Sequence, residues 1–285
     1  MAKMRMQNAT TILDLDSISH SGYGYEVLSG VSGLGMASRN VQWVEGAGDG
    51  ARYRGKRVNS RSIDIPLHVL GVDRTHLLQL VAALELMLAE PFTLYFVEDN
   101  GTEWYCDVVF TGGFNPVYGT DTIGNVDLTT VITVQAGDPY WTSAVRASKS
   151  IKITAGAGNL LSNLVALPVS SGSVIGSITL ENTGTAPAYP TWEVYGPGDT
   201  FTAISPKGET LKWNGSLADG EILTLDAIKG TVTDQDGVNR YAELDTAPRF
   251  WSVTPGVKTV TASLSDATTA SKIVCSWRTR KWLVI

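Results

Sequence analysis

The sequence contains little that metal chemistry, redox chemistry or membrane insertion would need. Its 285 residues include only two cysteines and three histidines, and 18% of them are charged. Cys106 and Cys275 stand far apart in apolar stretches, so we expect two buried free thiols and no disulfide framework. No apolar run approaches the roughly 20 residues of a membrane helix. The N-terminal residues lack a signal-peptide core, and we therefore expect a protein that is made soluble in a cytoplasm.

The sequence also lacks recognisable catalytic motifs. The histidines have no partners at catalytic or metal-ligand spacing, and no serine lies in a Gly-x-Ser-x-Gly turn. The segment 46–50 is glycine-rich but lacks the Gly-Lys-Ser/Thr ending of a phosphate loop, so it predicts a turn. Asp234-Gln235-Asp236-Gly237 starts like a calcium loop, but its glycine comes too early, and a hairpin turn is favoured. We expect no enzymatic activity, no cofactor and no metal.

Composition favours strands, because the chain holds 29 glycines, 11 prolines and many β-branched and aromatic residues. One apolar helix is predicted over residues 73–90, with Asp73 as N-cap, and it should cover a sheet or a neighbouring subunit. A long hairpin is predicted over residues 104–135. After a boundary near residue 141, short strand-like runs separated by turns predict a β-sandwich over 142–285.

The charges are distributed unevenly. Residues 1–140 hold nine Lys/Arg against sixteen Asp/Glu, whereas residues 141–285 hold thirteen against twelve. The acidic first part does not favour a grip on nucleic-acid phosphates. One basic run interrupts it and consists of Arg52, Arg54, Lys56, Arg57 and Arg61. It could bind nucleic acid, but a positive edge that meets an acidic face of a neighbouring copy fits the net charge better.

Tryptophans are the other candidate functional residues. Trp192, Trp251 and Trp277 each lie inside an alternating strand pattern, which predicts core positions. Asn214-Gly215 predicts one of the turns between these strands. Trp213, next to this turn, and Trp282, near the terminus, are the freer candidates for stacking on a sugar ring.

Several stretches, in their order and spacing, resemble the distal tail protein family of siphophages, a group of phage minor tail proteins. The stretches are Val31–Gly35, Gly55–Val58, the strand Arg61–Leu70, the helix after Gly71-Val72-Asp73, Ala136–Trp141, Asn182–Pro190 and Pro255-Gly256. The resemblance covers nearly the whole chain.

The resemblance implies a mainly β protein with two domains. Residues 1–141 would form a β-sandwich with one α-helix and a long β-hairpin arm, and six copies would close into a ring in which each arm embraces its neighbour. Residues 142–285 would form a galectin-like or carbohydrate-module-like sandwich outside the ring.

The function implied is that of a structural virion protein at the phage tail tip. The ring would join the tail tube to the tail-associated lysin or hub protein, contact the tape-measure protein and let DNA pass without specific binding. The alternative is a host-surface adhesin that binds carbohydrate through the second domain. A cell-wall hydrolase is a third and weaker hypothesis.

Overall fold

The computed structural model describes residues 2–115, 126–152 and 172–285. The chain divides into two compact units, one formed by Met1–Ala144 with Lys281–Ile285, and the other by Val145–Arg280. The boundary expected after residue 141 lies three residues before this division. The last five residues, which we expected in the second domain, belong to the first unit.

The first unit is built mostly of strands. In chain order its elements are β1 (Lys3–Gln7), β2 (Ile12–Asp14), α1 (Ile18–Ser21), β3 (Gly24–Val27), β4 (Arg39–Glu45), β5 (Ala51–Val58), β6 (Arg61–Leu70), α2 (Arg74–Leu88), β7 (Phe92–Val97), β8 (Glu103–Gly113), β9 (Asp127–Ala136) and β10 (Trp141–Lys152), whose later residues belong to the second unit.

Two sets of strands share β8. Strands β2, β1, β7 and β8 are neighbours in that order, and β8 also pairs with β9, which pairs with β6 and through it with β3. The alternating apolar residues of β6 have no exposed surface and lie in one hydrophobic core with residues of β1 and β7. These residues are Ile63, Ile65, Leu67 and Val69. Strand β1 was not predicted, although Met4 and Met6 alternate in it and are buried there.

Helix α2 begins after the predicted N-cap Asp73 and ends at Leu88, two residues before the predicted end. The Asp73 carboxylate accepts a hydrogen bond from the His76 amide at 2.8 Å, which caps the first turn. Pro91 lies three residues beyond the last helical residue, Leu88. The Tyr25 hydroxyl of β3 donates to the Leu80 carbonyl at 2.7 Å and ties the helix to the sheet. Burial raises the pKa of Tyr25 to about 12, so this donor keeps its proton at neutral pH.

The hairpin expected over residues 104–135 is present as β8 and β9, paired from Val108↔Ala136 to Gly113↔Ile132. Its strands, however, are part of the core sheet. Strand β9 pairs with β6 over its whole length, from Leu70↔Asp127 to Arg61↔Ala136. The described part of this hairpin is therefore no free arm, and its tip, residues 116–125, lies outside the described residues.

The second unit consists of strands and one 3-10 turn. Its elements are β11 (Gly172–Asn182), β12 (Thr191–Tyr195), β13 (Gly198–Ile204), β14 (Thr210–Leu217), β15 (Ile222–Asp226), β16 (Thr231–Asp234), the 3-10 turn Tyr241–Glu243, β17 (Gly256–Ala267) and β18 (Lys272–Lys281). One sheet has the order β11-β17-β13-β14, and in another β16, β15, β12 and β18 are neighbours.

These two sheets enclose a single hydrophobic core, which makes the unit a β-sandwich as predicted. Trp192 of β12 contacts Phe201 of β13 across the core, with ring centroids 5.7 Å apart, and Trp251 packs edge-on against Trp192. The predicted turn at Asp236-Gly237 is confirmed. Asp234 accepts hydrogen bonds from the backbone amides of Asp236 and Val238, so its carboxylate caps a turn.

One predicted turn was wrong. Asn214-Gly215 lies inside β14 and does not connect two strands. Gly215 is needed for a close approach, because an added Cβ would lie 2.1 Å from the ring of Trp213. The glycine thus allows the Trp213 ring to pack against the strand. In the sequence alone, such a glycine cannot be distinguished from the glycine of a hairpin turn.

Candidate subunit-interaction surface

The most exposed element of the first unit is the hairpin β4–β5. Its strands pair from Arg39↔Val58 to Glu45↔Ala51 and form a two-stranded sheet of their own, which no other described strand joins. All seven residues of β4 are exposed. Residues 46–50 connect the strands, as the glycine-rich sequence predicted. Because an isolated two-stranded hairpin is marginally stable in water, contact with a partner would stabilise this one.

One face of this hairpin is aromatic and apolar. Trp43 pairs directly with Tyr53, and their rings meet edge-to-face with centroids 5.8 Å apart. The exposed fractions are 60% for Trp43 and 54% for Tyr53. Val41 lies two residues before Trp43, and so its side chain points to the same face. Exposed aromatic and apolar side chains grouped in this way are typical of an interaction surface.

Four residues of the basic run lie on the same hairpin. Arg52, Arg54, Lys56 and Arg57 are all exposed along β5. Lys56 pairs with Val41 and so shares the aromatic face, whereas Arg52 and Arg57 pair with Val44 and Asn40 and point to the other face.

The charge contrast between the hairpin and the remainder of the acidic region is large. Residues 39–58 hold five Lys/Arg against two Asp/Glu, whereas the rest of residues 1–140 holds four against fourteen. A positive hairpin on an otherwise negative region provides two unlike surfaces of opposite charge, which suits head-to-tail contact between copies.

Arg61 does not belong to this surface. We expected it to extend the basic run, but it is 2% exposed. Its guanidinium donates to the carbonyls of Gly33, Gly35, Pro139 and Trp282, the last two at 2.6 Å. Burial lowers the pKa of Arg61 below its ordinary value. The side chain therefore fixes the loops that precede the hairpin, and its role is structural.

The C-terminal residues pack at the base of the hairpin β4–β5. Trp282 packs edge-on against Tyr140 at 4.6 Å, and the guanidinium of Arg39, the first residue of β4, lies 4.7 Å from the centre of the Trp282 ring. Val284 is buried, and its amide donates to the Leu34 carbonyl at 3.3 Å. Trp282 is half-buried among these partners, which does not favour the predicted role in sugar stacking.

Trp213, the other candidate for sugar stacking, has no exposed surface. Trp192, Trp251 and Trp277 are buried too, as predicted. Among the described residues of the second unit, no tryptophan is therefore exposed and available to stack on a sugar ring.

The described residues offer little for catalysis. They include a cleft of about 460 Å³ in the second unit, where Lys212 and Asp245 lie 4.0 Å apart. No aromatic side chain lines this cleft. No group of three or more potential metal ligands occurs among residues 2–115, 126–152 and 172–285. None of the described helices has the length and apolar character needed to span a membrane.

Comparison with known proteins shows similarity in sequence for the second unit and in fold for the whole chain. Residues 183–280 match the family model of the siphovirus-type tail component, C-terminal domain. The resemblance expected from the sequence is confirmed. The match covers most of the second unit, which is the part of the chain that we described as a sandwich. No curated protein sequence matches the chain significantly.

Solved structures extend the likeness to the full length. SPP1 Dit, described as a paradigm of the hub adsorption apparatus in phages that infect Gram-positive bacteria, is similar over 98% of this chain and 99% of its own, with a TM-score of 0.67 and 15% identity. The phage P2 baseplate in its activated conformation with Ca contains a chain with a TM-score of 0.52 and 9% identity, covering 94% of this chain and 99% of that one. The baseplate in its activated conformation with Sr contains a chain with a TM-score of 0.52 and 10% identity, and the match covers 93% of this chain and 98% of that one. At these identities the likeness establishes a common fold.

Proposed function

We propose that this chain is a structural virion protein of the distal tail or baseplate of a long-tailed phage. The observation that carries the proposal is the likeness to SPP1 Dit, which extends over both units and leaves almost nothing of either chain unmatched. The family match of residues 183–280 supports it independently, because it is a match of sequence. The role is non-enzymatic: the chain acts by assembling.

The copies close into a ring through the hairpin β4–β5. Support comes from the exposed Trp43–Tyr53 pair, the basic run beside it and the acidic remainder of the first unit. Contacts between two unlike surfaces repeat around an axis and close when the rotation fits. The number six comes from the family resemblance. We assign the arm of this ring to β4–β5, because the described strands of the hairpin 104–135 pair within the core sheet.

The ring joins the tail tube to the tail-associated lysin or hub protein, and contacts the tape-measure protein. DNA passes through without specific binding. The negative charge of the first unit outside the arm suits this role, since an acidic wall repels phosphates. The galectin-like character of the second unit stays a prediction from the resemblance.

Assembly of the full chain tests the ring. Native mass spectrometry and negative-stain microscopy of the purified protein should give a closed oligomer. The double variant Trp43→Ala/Tyr53→Ala should lose it and keep its fold, because both side chains are exposed. Ile228→Ala, which truncates a side chain of the second unit with the same 60% exposure as Trp43, is the matched control. A wild-type chain that stays monomeric at high concentration, or a ring that survives the aromatic substitutions, would contradict the proposal.

A host-surface adhesin is the alternative, and the buried tryptophans of the second unit do not favour it. A glycan array probed with the full chain tests it directly. Specific binding to one class of glycan would give the second unit a recognition role in addition to assembly.

A further inference from the structure

The outer face of helix α2 has no partner within the described structure. Leu78 and Leu86 are 53% and 74% exposed, and Ala82 lies between them and is exposed as well. Spaced four residues apart, the three form one apolar stripe about 12 Å long. The inner face of the same helix buries Leu77 and Leu84 against the core. The sequence therefore supplies more apolar surface on this helix than the fold of one copy uses.

The stripe is flanked by negative charge. Glu85 is exposed, and at positions i+3 from Ala82 and i+7 from Leu78 it lies on the same face. Glu90, also exposed, follows the end of the helix. A surface that is apolar along its centre and acidic at its edge and end complements a surface that is aromatic and basic.

The hairpin β4–β5 presents such a surface. Trp43, Tyr53 and Val41 form its apolar patch, with Lys56 on the same face. A cross-strand pair and a two-residue step along a strand span about 5 Å by 7 Å before the side chains are counted. With the reach of an indole and a phenol, the patch covers most of a stripe of 12 Å.

We propose that the aromatic face of hairpin β4–β5 of one copy docks on the outer face of helix α2 of the next copy. This inference rests on the proposed ring and names the surface that accepts the arm. Trp43 and Tyr53 cover Leu78 and Leu86, and Lys56 lies against Glu85. Both surfaces are open in a single copy, and their charges are opposite, so a second copy supplies to each what it lacks.

A charge exchange tests the pairing. Lys56→Glu and Glu85→Lys should each weaken the association of copies about tenfold, since each places like charges across the contact. The double variant should recover most of the wild-type association. Arg57→Glu, the same charge change on the opposite face of the arm, is the matched control. Whatever its own effect on association, adding Glu85→Lys should not offset that effect.

Cross-linking gives an independent readout. The two native cysteines are buried, so a pair of introduced thiols dominates the reaction. Val41→Cys with Ala82→Cys should form disulfide-linked dimers and higher oligomers under mild oxidation. Val41→Cys with Ile12→Cys, which is 60% exposed on β2, should not.

The outcomes separate this inference from the proposed function. A ring that forms normally, without cross-links at Ala82 and without effect of Glu85→Lys, overturns the assignment of α2 and leaves the ring standing. Absence of any oligomer of the wild-type chain overturns both. Cross-links at Ala82 together with rescue by the charge exchange establish the contact.

Discussion

The buried guanidinium of Arg61 offers a quantitative test of how the first unit is held together. Replacement by leucine removes the donors of four carbonyls, those of Gly33, Gly35, Pro139 and Trp282. A buried acceptor left without a donor costs about 1–3 kcal/mol, which for four gives a gross loss of about 4–12 kcal/mol. Relaxation of the loops, entry of water and relief from burying a charge offset part of it. We expect a net loss of about 3–5 kcal/mol in the free energy of unfolding.

Urea unfolding of the full chain measures this loss. With an m value of roughly 2 kcal/mol/M, the transition of the first unit should move down by roughly 2 M, while that of the second unit should stay in place as an internal control. Arg61→Lys keeps the charge, but a single ammonium cannot reach four carbonyls, so an intermediate loss is expected. Hydrogen exchange should rise at residues 33–35 and 282–285, where the anchored loops lie.

The reasoning is refuted if Arg61→Leu unfolds within about 1 kcal/mol of the wild type. The carbonyls would then be satisfied without the guanidinium. A loss that appears equally in both units would also refute it, because all four acceptors belong to the first unit.

Two further predictions concern the second unit and the thiols. Trp213→Ala should lower the free energy of unfolding of the second unit by about 3–5 kcal/mol, since the removed ring is fully buried; a thermal melt that is nearly unchanged would contradict its core position. Cys106 and Cys275 should resist a thiol reagent in the native protein up to about pH 9 and react on unfolding. Burial raises the pKa of Cys106 to about 12 and also raises the pKa of Cys275, so both thiols stay protonated. Rapid labelling of the native protein at pH 8 would contradict this.

The regular parts of the fold could be predicted because each has a local signal. The cap at Asp73, the spacing of apolar residues and Pro91 define α2, and alternation in residues 61–70 defines β6. The second unit follows from short strands and turn residues. The prediction at Asn214-Gly215 was wrong because the same dipeptide occurs in hairpin turns and in a strand where a glycine is needed beside a tryptophan ring.

The interaction surface was harder to predict, because sequence does not show which strands lack neighbours. The length of the hairpin 104–135 favoured it as the arm, but pairing of β9 with β6 places its strands in the core sheet. The basic run did mark the exposed arm, with Trp43 and Tyr53 on either side of a glycine-rich turn as a further signal. Arg61 has the same residue type as the exposed arginines and follows Arg57 by four residues, and the carbonyls around its guanidinium distinguish it from them.

The central claim, a structural role at the distal end of a phage tail, is tested most directly by immunogold electron microscopy. Antibodies raised against the purified chain should label intact virions of the phage that encodes it. The account predicts gold particles at the tip of the tail, in the region of the baseplate, and none along the tail shaft. Labelling confined to the capsid or the shaft, or virions that carry none of the chain, would contradict it.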